Sequence, residues 1–308
     1  MRSRFLPEGR LLHTPENEAA CASCDGLRRA MEEGTVLEGV AQLCDGAHNL
    51  LVSVGPFTGF LPREEAALGI AEGTTREIAI LSRVGKPVCF QITALEESGG
   101  VLRPRLSRRR AQQAALDAML AGLHPGCILP AVVTHLESFG AFVDIGCGVP
   151  SLIGIENISV SRIQHSNQRF QEGQKILAAV YRIDPENRRI TMSHRELLGT
   201  WMENASRFQP GETVRGIVRS VKPYGSFIEL SPNLSGLADS REDLEVGDEV
   251  SVFIKNIRPE RMKVKLQVIE KLPLTESIPP LAYQITDGKL DRWTYSPPGC
   301  EKVVETVF

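Results

Sequence analysis

The sequence predicts a mainly β chain: three tandem five-stranded barrels joined by short helices. Two repeated landmarks and the strand lengths between them predict it. The first landmark is Gly126-Cys-Ile-Leu-Pro-Ala-Val-Val133, matched by Gly211-Glu-Thr-Val-Arg-Gly-Ile-Val218 and by Gly34-Thr-Val-Leu-Glu-Gly-Val-Ala41. The second is Glu172-Gly-Gln-Lys-Ile-Leu-Ala-Ala-Val-Tyr-Arg-Ile183, matched by Val246-Gly-Asp-Glu-Val-Ser-Val-Phe-Ile-Lys-Asn-Ile257 and by Val84-Gly-Lys-Pro-Val-Cys-Phe-Gln-Ile92. Between and after them lie short apolar or alternating runs bounded by Gly, Pro and Asp-Pro turns, the signature of strands.

Each copy contributes its elements in the same order. After the first landmark comes a strand: His48-Asn-Leu-Leu-Val-Ser-Val54, Phe139-Gly-Ala-Phe-Val-Asp-Ile145 and Tyr224-Gly-Ser-Phe-Ile-Glu-Leu230. Each copy closes on a final strand: Arg103-Pro-Arg-Leu-Ser107, Arg189-Ile-Thr-Met-Ser193 and Lys263-Val-Lys-Leu-Gln267. Five short strands with a longer connection before the fourth describe an OB-fold, a barrel that commonly binds oligonucleotides on one face. That connection is long in the middle copy, longer in the first and short in the third.

The expected division is an N-terminal helical extension over 1–33, with a helix from Glu16 to Glu33, then a degenerate barrel over 34–107. A linker helix follows over 108–123, with Leu116, Met119, Leu120 and Leu123 on one face. The middle barrel occupies 124–193. A second linker helix covers 194–209, with Leu197, Leu198, Trp201 and Met202 inward. The third barrel, with its shortened loop, occupies 210–270, and a Pro-rich tail wraps over 271–308. Trp201 and Trp293 read as packing anchors.

Composition narrows the function. The 308 residues are 42% hydrophobic, enough for packed cores, and carry a formal net charge of -3. Nucleic-acid binders usually show an excess of positive charge. Any binding here must therefore use local faces and stacking. No run suggests a leader or a membrane span. Seven scattered cysteines suggest free thiols and a cytoplasmic location. Cys21 and Cys24 have zinc-knuckle spacing, but one pair is half a site, and nothing fixes His13 or Cys44 as partners. No phosphate-binding loop, nucleophile elbow or nuclease signature occurs, so neither an enzyme nor a cofactor is expected.

In the middle copy the landmarks, Phe-Gly-Ala-Phe-Val-Asp and Ile-Asp-Pro-Glu-Asn-Arg-Arg-Ile-Thr-Met-Ser together resemble the S1 RNA-binding domain. This is the OB-fold of the bacterial ribosomal protein S1 family. The third copy resembles it well, apart from its loop, and the first only in outline. The resemblance implies single-stranded RNA as partner, translation as setting and the small ribosomal subunit as a further partner. A non-ribosomal role in RNA turnover or transcription, or a protein-interaction scaffold, stays open beside it.

The resemblance also implies the site. It assigns Phe139 and Phe142, and Tyr224 and Phe227, to base stacking, with Gly140 expected to permit a bulge or bend that turns both rings outward. Arg189 and Lys263 start the last strand beside the rings, with Arg188 and Lys265 near them. His135 is a secondary candidate. Where the family has a histidine on the third strand, this chain has Gly154 and Asp239. Asp239 begins an acidic stretch with Glu242, Asp243 and Glu245 that would repel phosphate. His48 and Leu51 replace the rings in the first copy. By resemblance that barrel is a docking module, or a spacer that lost its site. Arg103, Arg105, Arg108, Arg109 and Arg110 form the densest basic run and are candidate phosphate contacts.

Overall fold

The computed structural model describes residues 5–273 and 281–308. Parts of the N-terminal extension and of the tail lie outside them. The chain contains three closed five-stranded barrels and a two-stranded sheet.

The extension holds two helices, α1 (Pro15–Cys21) and α2 (Cys24–Glu33), where one was expected. Ser23 interrupts them, because its side chain accepts a hydrogen bond from the Gly26 N–H and starts a new helix. This separates the two cysteines: Cys21 is buried and Cys24 exposed.

The first barrel comprises β1 (Leu37–Cys44), β2 (Leu50–Val54), β3 (Phe57–Leu61), a single helical turn α3 (Ile78–Leu81), β4 (Pro87–Ser98) and β5 (Val101–Ser107). Val52, Phe90 and Leu106 are fully buried in its core. Helix α4 (Arg108–Gly122) follows, capped by Ser107 accepting from the Arg110 N–H. It buries Leu116 and Met119, as its spacing predicts, but also Arg108 and Gln112.

The middle barrel is β6 (Ile128–Glu137), β7 (Gly140–Asp144), β8 (Pro150–Gly154), β9 (Lys175–Asp184) and β10 (Arg189–Ser193). The stretch expected as one linker helix is a short turn at Arg195–Leu198 and then α5 (Trp201–Ala205), which begins at a Thr200–Glu203 capping box. Trp201 is buried, but Met202 is exposed.

The third barrel is β11 (Thr213–Lys222), β12 (Gly225–Ser231), β13 (Leu234–Ala238), β14 (Glu249–Arg258) and β15 (Lys263–Lys271). In the tail, β16 (Arg292–Thr294) pairs with β17 (Glu305–Val307), and Trp293 and Tyr295 join the core of the third barrel.

Two compact units emerge. One is 1–123 with 130–132 and 144–150; the other is 124–129, 133–143 and 151–308. The second contains a buried histidine. His194 donates from Nδ1 to the Ile158 carbonyl at 2.8 Å, and its Nε2 lies 3.2 Å from the Tyr283 hydroxyl. Burial holds its pKa down at about 4, helped by the charge of Arg169 and opposed by the Ile158 bond. The unfolded chain takes up this proton near pH 6.5, and the folded chain resists until about pH 4. The stability His194 contributes is therefore complete above pH 6.5 and drains away as the pH falls to 4. It amounts to about 3 kcal/mol. Urea titrations at a series of pH values, with and without His194→Gln, measure it as the step that the substitution removes.

Candidate nucleic-acid interface

Strand pairing in the third barrel lays out the face. Ser220 on β11 faces Phe227 on β12, Phe227 faces Leu237 on β13, and Leu237 faces Lys265 on β15. Alternation buries the residues on either side: Ser226 and Ile228 face inward, as do Val264 and Leu266. One outward row thus runs Ser220, Phe227, Leu237, Lys265 across four strands.

Tyr224 escapes alternation in another way. It sits in the turn before β12, not in the strand, and is 68% exposed. Its centroid lies 6.3 Å from that of Phe227, with the planes at 90°. Phe139 and Phe142 repeat the arrangement at 6.0 Å and 90°. Phe139 is 54% exposed in the turn before β7, while Phe142 is half-buried between the buried Ala141 and Val143.

Phe139 lies in the turn, so alternation along β7 does not constrain it, and Gly140 has a further task. A Cβ on Gly140 would run into the Ile153 carbonyl oxygen, and one on Gly225 into that of Ala238. Each glycine lets its strand close onto the next directly behind the rings.

The middle row begins with His135, whose ring stacks against Phe142 at 6.5 Å and 27°. Hydrogen bonding to Glu137 at 3.0 Å and to Glu172 at 3.1 Å raises the His135 pKa, so its cationic form persists beside the ring to higher pH. The row ends at Leu152 and Thr191, paired between β8 and β10. Arg189 is exposed at the start of β10, opposite Asp184. Arg188 is exposed in the preceding turn at φ 51°, and Met262 holds the same left-handed conformation before Lys263.

Two positions on these faces are missing from the expected set. Thr191 faces Arg182 and Met192 faces Val180, which leaves Tyr181 as the extra residue of a bulge, 40% exposed. The equivalent bulge residue in the third barrel is Lys255. Their shared place in the second landmark is the signal that would have found them. Lys255 and Lys265 reach Asp239 at 3.7 and 3.9 Å. Asp239 thus sits between two ammonium groups, and its repulsion of phosphate is partly cancelled. Asp243 pairs with Arg241 at 2.8 Å, so the acidic rim is itself compensated in part.

In the first barrel the place of the exposed ring is already taken. His48 lies in the turn before β2, with Nδ1 3.1 Å from Glu77, and Arg63 Nε donates to the same carboxylate at 2.8 Å. Leu51 faces Phe60 on β3, and Phe60 faces Arg105, whose guanidinium lies 5.9 Å from the ring centroid. A ring does occupy the outer row here, one strand over from its place in the other barrels.

The five arginines do not form one patch. Arg108 must be withdrawn as a phosphate contact, because its guanidinium is buried. It donates from Nε and Nη2 to Glu8 at 2.6 and 2.9 Å and from Nη1 to the Ala66 carbonyl at 3.2 Å. A charge buried this deep needs its partner. Arg109 pairs with Glu72, and Arg105 lies 3.5 Å from Glu96. Arg103 and Arg110 are exposed. Among the described residues no helix is long and apolar enough to cross a membrane.

The chain is similar to known proteins over most of its length. The S1 RNA binding domain matches residues 123–195. The chain is 30% identical over 246 residues to small ribosomal subunit protein bS1 of Leuconostoc lactis, covering 74% of this chain and 55% of that protein. It is 26% identical over 270 residues to the bS1 protein of Neisseria meningitidis serogroup B, covering 82% and 46%. It is 27% identical over 240 residues to the bS1 homolog of Bacillus subtilis, covering 73% and 61%. The chain spans about half the length of the relatives it matches. It carries an S1 RNA binding domain in its middle barrel and is homologous, over most of its own length, to the bacterial ribosomal protein bS1.

Proposed function

We propose that this chain is a non-catalytic binder of single-stranded RNA that acts in translation on the small ribosomal subunit, in the cytoplasm. The observation that carries the reading is the repeated pair of rings at right angles, Phe139 with Phe142 and Tyr224 with Phe227. In each pair one ring is solvent-exposed at a turn and the other half-buried on the strand. Bases stack on such rings whatever their identity, and nearby cations hold the phosphates. Arg188 and Arg189 serve the middle barrel; Lys263 and Lys265 serve the third. His135 supports Phe142. Two faces on one chain raise the effective concentration of RNA at the second once the first is filled.

The first barrel has a different part in this reading. Glu77 engages His48 and Arg63 where a stacking ring would stand, so this barrel docks on protein while the other two hold RNA. Exposed Arg103 and Arg110, with Arg105 and Arg109 beside them, guide the strand past it.

Anisotropy titrations of labelled homopolymeric RNA against salt test the proposal. Binding is expected, with a shallow slope of roughly -1 to -3 in log K against log salt, because stacking carries most of the affinity and few phosphates are neutralised. A slope several times steeper would mean that charge, not the rings, holds the RNA. Co-sedimentation with ribosomes tests the setting.

A further inference from the structure

A second kind of site lies in the second unit. A cavity of about 460 Å³ is lined by four arginines, Arg169, Arg207, Arg215 and Arg219, against two glutamates, Glu229 and Glu249. Its floor is a buried triad. Glu229 accepts from Arg169 Nη1 and Nη2 at 2.7 and 2.8 Å, and from Arg219 Nε and Nη2 at 2.9 and 3.1 Å. Burial pushes the Glu229 carboxyl up, but the bonds and charges of both arginines outweigh it and hold its pKa below the ordinary value. The triad therefore carries one uncompensated positive charge.

Its residues are 4–9% exposed, and Arg169 Nε is buried without a hydrogen-bond partner among the described residues. An excess charge and an unmet donor this far from water favour an anion. At the rim Arg207 is exposed, and Arg215 lies 3.3 Å from Glu249. Apolar wall is supplied by Leu198, Ile217, Leu230 and Pro232. A volume in the ligand-pocket range, convergent guanidiniums and an apolar wall suit a phosphate joined to a flat, weakly polar group.

We propose that this cavity binds the phosphate of a nucleotide unit, gripped by Arg207 and Arg215 above the Arg169–Glu229–Arg219 floor. The unit is either a free mononucleotide or one residue of an RNA strand. The site uses none of the ring residues.

Calorimetric titration of the full chain with adenosine 5′-monophosphate, and with adenosine as the phosphate-free control, tests it. Saturable binding of the monophosphate is expected, with adenosine at least about tenfold weaker. Arg207→Gln with Arg215→Gln should weaken the monophosphate by about tenfold or more. Glu249→Gln should tighten it. Alanine at Phe139, Phe142, Tyr224 and Phe227 should leave it unchanged, which separates this site from the RNA faces. Absence of saturable binding overturns the proposal. So does binding that survives the rim substitutions, or that disappears with the rings. A short uridine oligonucleotide then distinguishes the sources. If it displaces the monophosphate from the ring-substituted chain, the natural occupant is an RNA phosphodiester; if not, it is a free nucleotide.

Discussion

Replacing Glu229 with alanine is expected to cost the second unit about 3–5 kcal/mol, because two guanidiniums would be left facing each other in a buried space. Arg169 approaches from the long connection between β8 and β9, and Arg219 from β11, and both donate to the Glu229 carboxylate on β12. The same connection is tied to β13 by the Ser161 and Ser235 hydroxyls at 2.8 Å, and the Asn233 side chain accepts from the Val160 N–H at 2.9 Å. Both tryptophans of the chain are buried in the core that includes the third barrel, so their fluorescence during urea unfolding reports this unit selectively. A lowered midpoint with unchanged slope is the expected outcome. Substituting all three members together with apolar residues of similar size should recover most of the loss. A cost below about 1 kcal/mol for Glu229→Ala would mean that the arginines find water when the carboxylate goes.

The second large effect concerns RNA. Phe139→Ala with Phe142→Ala should weaken binding of a short oligonucleotide by roughly 2–6 kcal/mol, from about 1–3 kcal/mol per stacked base. The fold should survive, since Phe139 is 54% exposed and Phe142 lies outside the barrel core. Circular dichroism serves as the control. The loss must be measured with an oligonucleotide too short to reach a second barrel, because a longer strand would be held at Tyr224 and Phe227 and mask it. The same double substitution at Tyr224 and Phe227 should cost less, since Asp239 lies between the two lysines of that face. Unchanged affinity after both double substitutions would remove stacking as the mechanism.

Much of this architecture was legible in the sequence. The five-strand pattern follows from alternation and turn residues, which act locally, and the final strand Arg189–Ser193 is observed at its expected bounds. The ring positions were legible from the family resemblance together with their recurring spacing. The reason both rings face outward was not. It depends on Phe139 lying in a turn and on a glycine whose missing Cβ admits a carbonyl from the neighbouring strand, and neither is visible along one strand alone.

The tertiary structure decided the charges. Arg108, Arg109 and Arg110 are consecutive and look alike, yet one is buried on Glu8, one pairs with Glu72 and one is exposed. Phe60 reaches the outer row of the first barrel only through its pairing with Leu51 and Arg105. Asp239 reads as part of a repulsive acidic stretch until Lys255 of β14 and Lys265 of β15 are seen beside it. Strand period and turn chemistry depend on neighbours a few residues apart, so the sequence by itself determined three barrels and two pairs of rings. What a charged side chain does depends on which distant residue meets it across a barrel wall, and only the folded chain decides that.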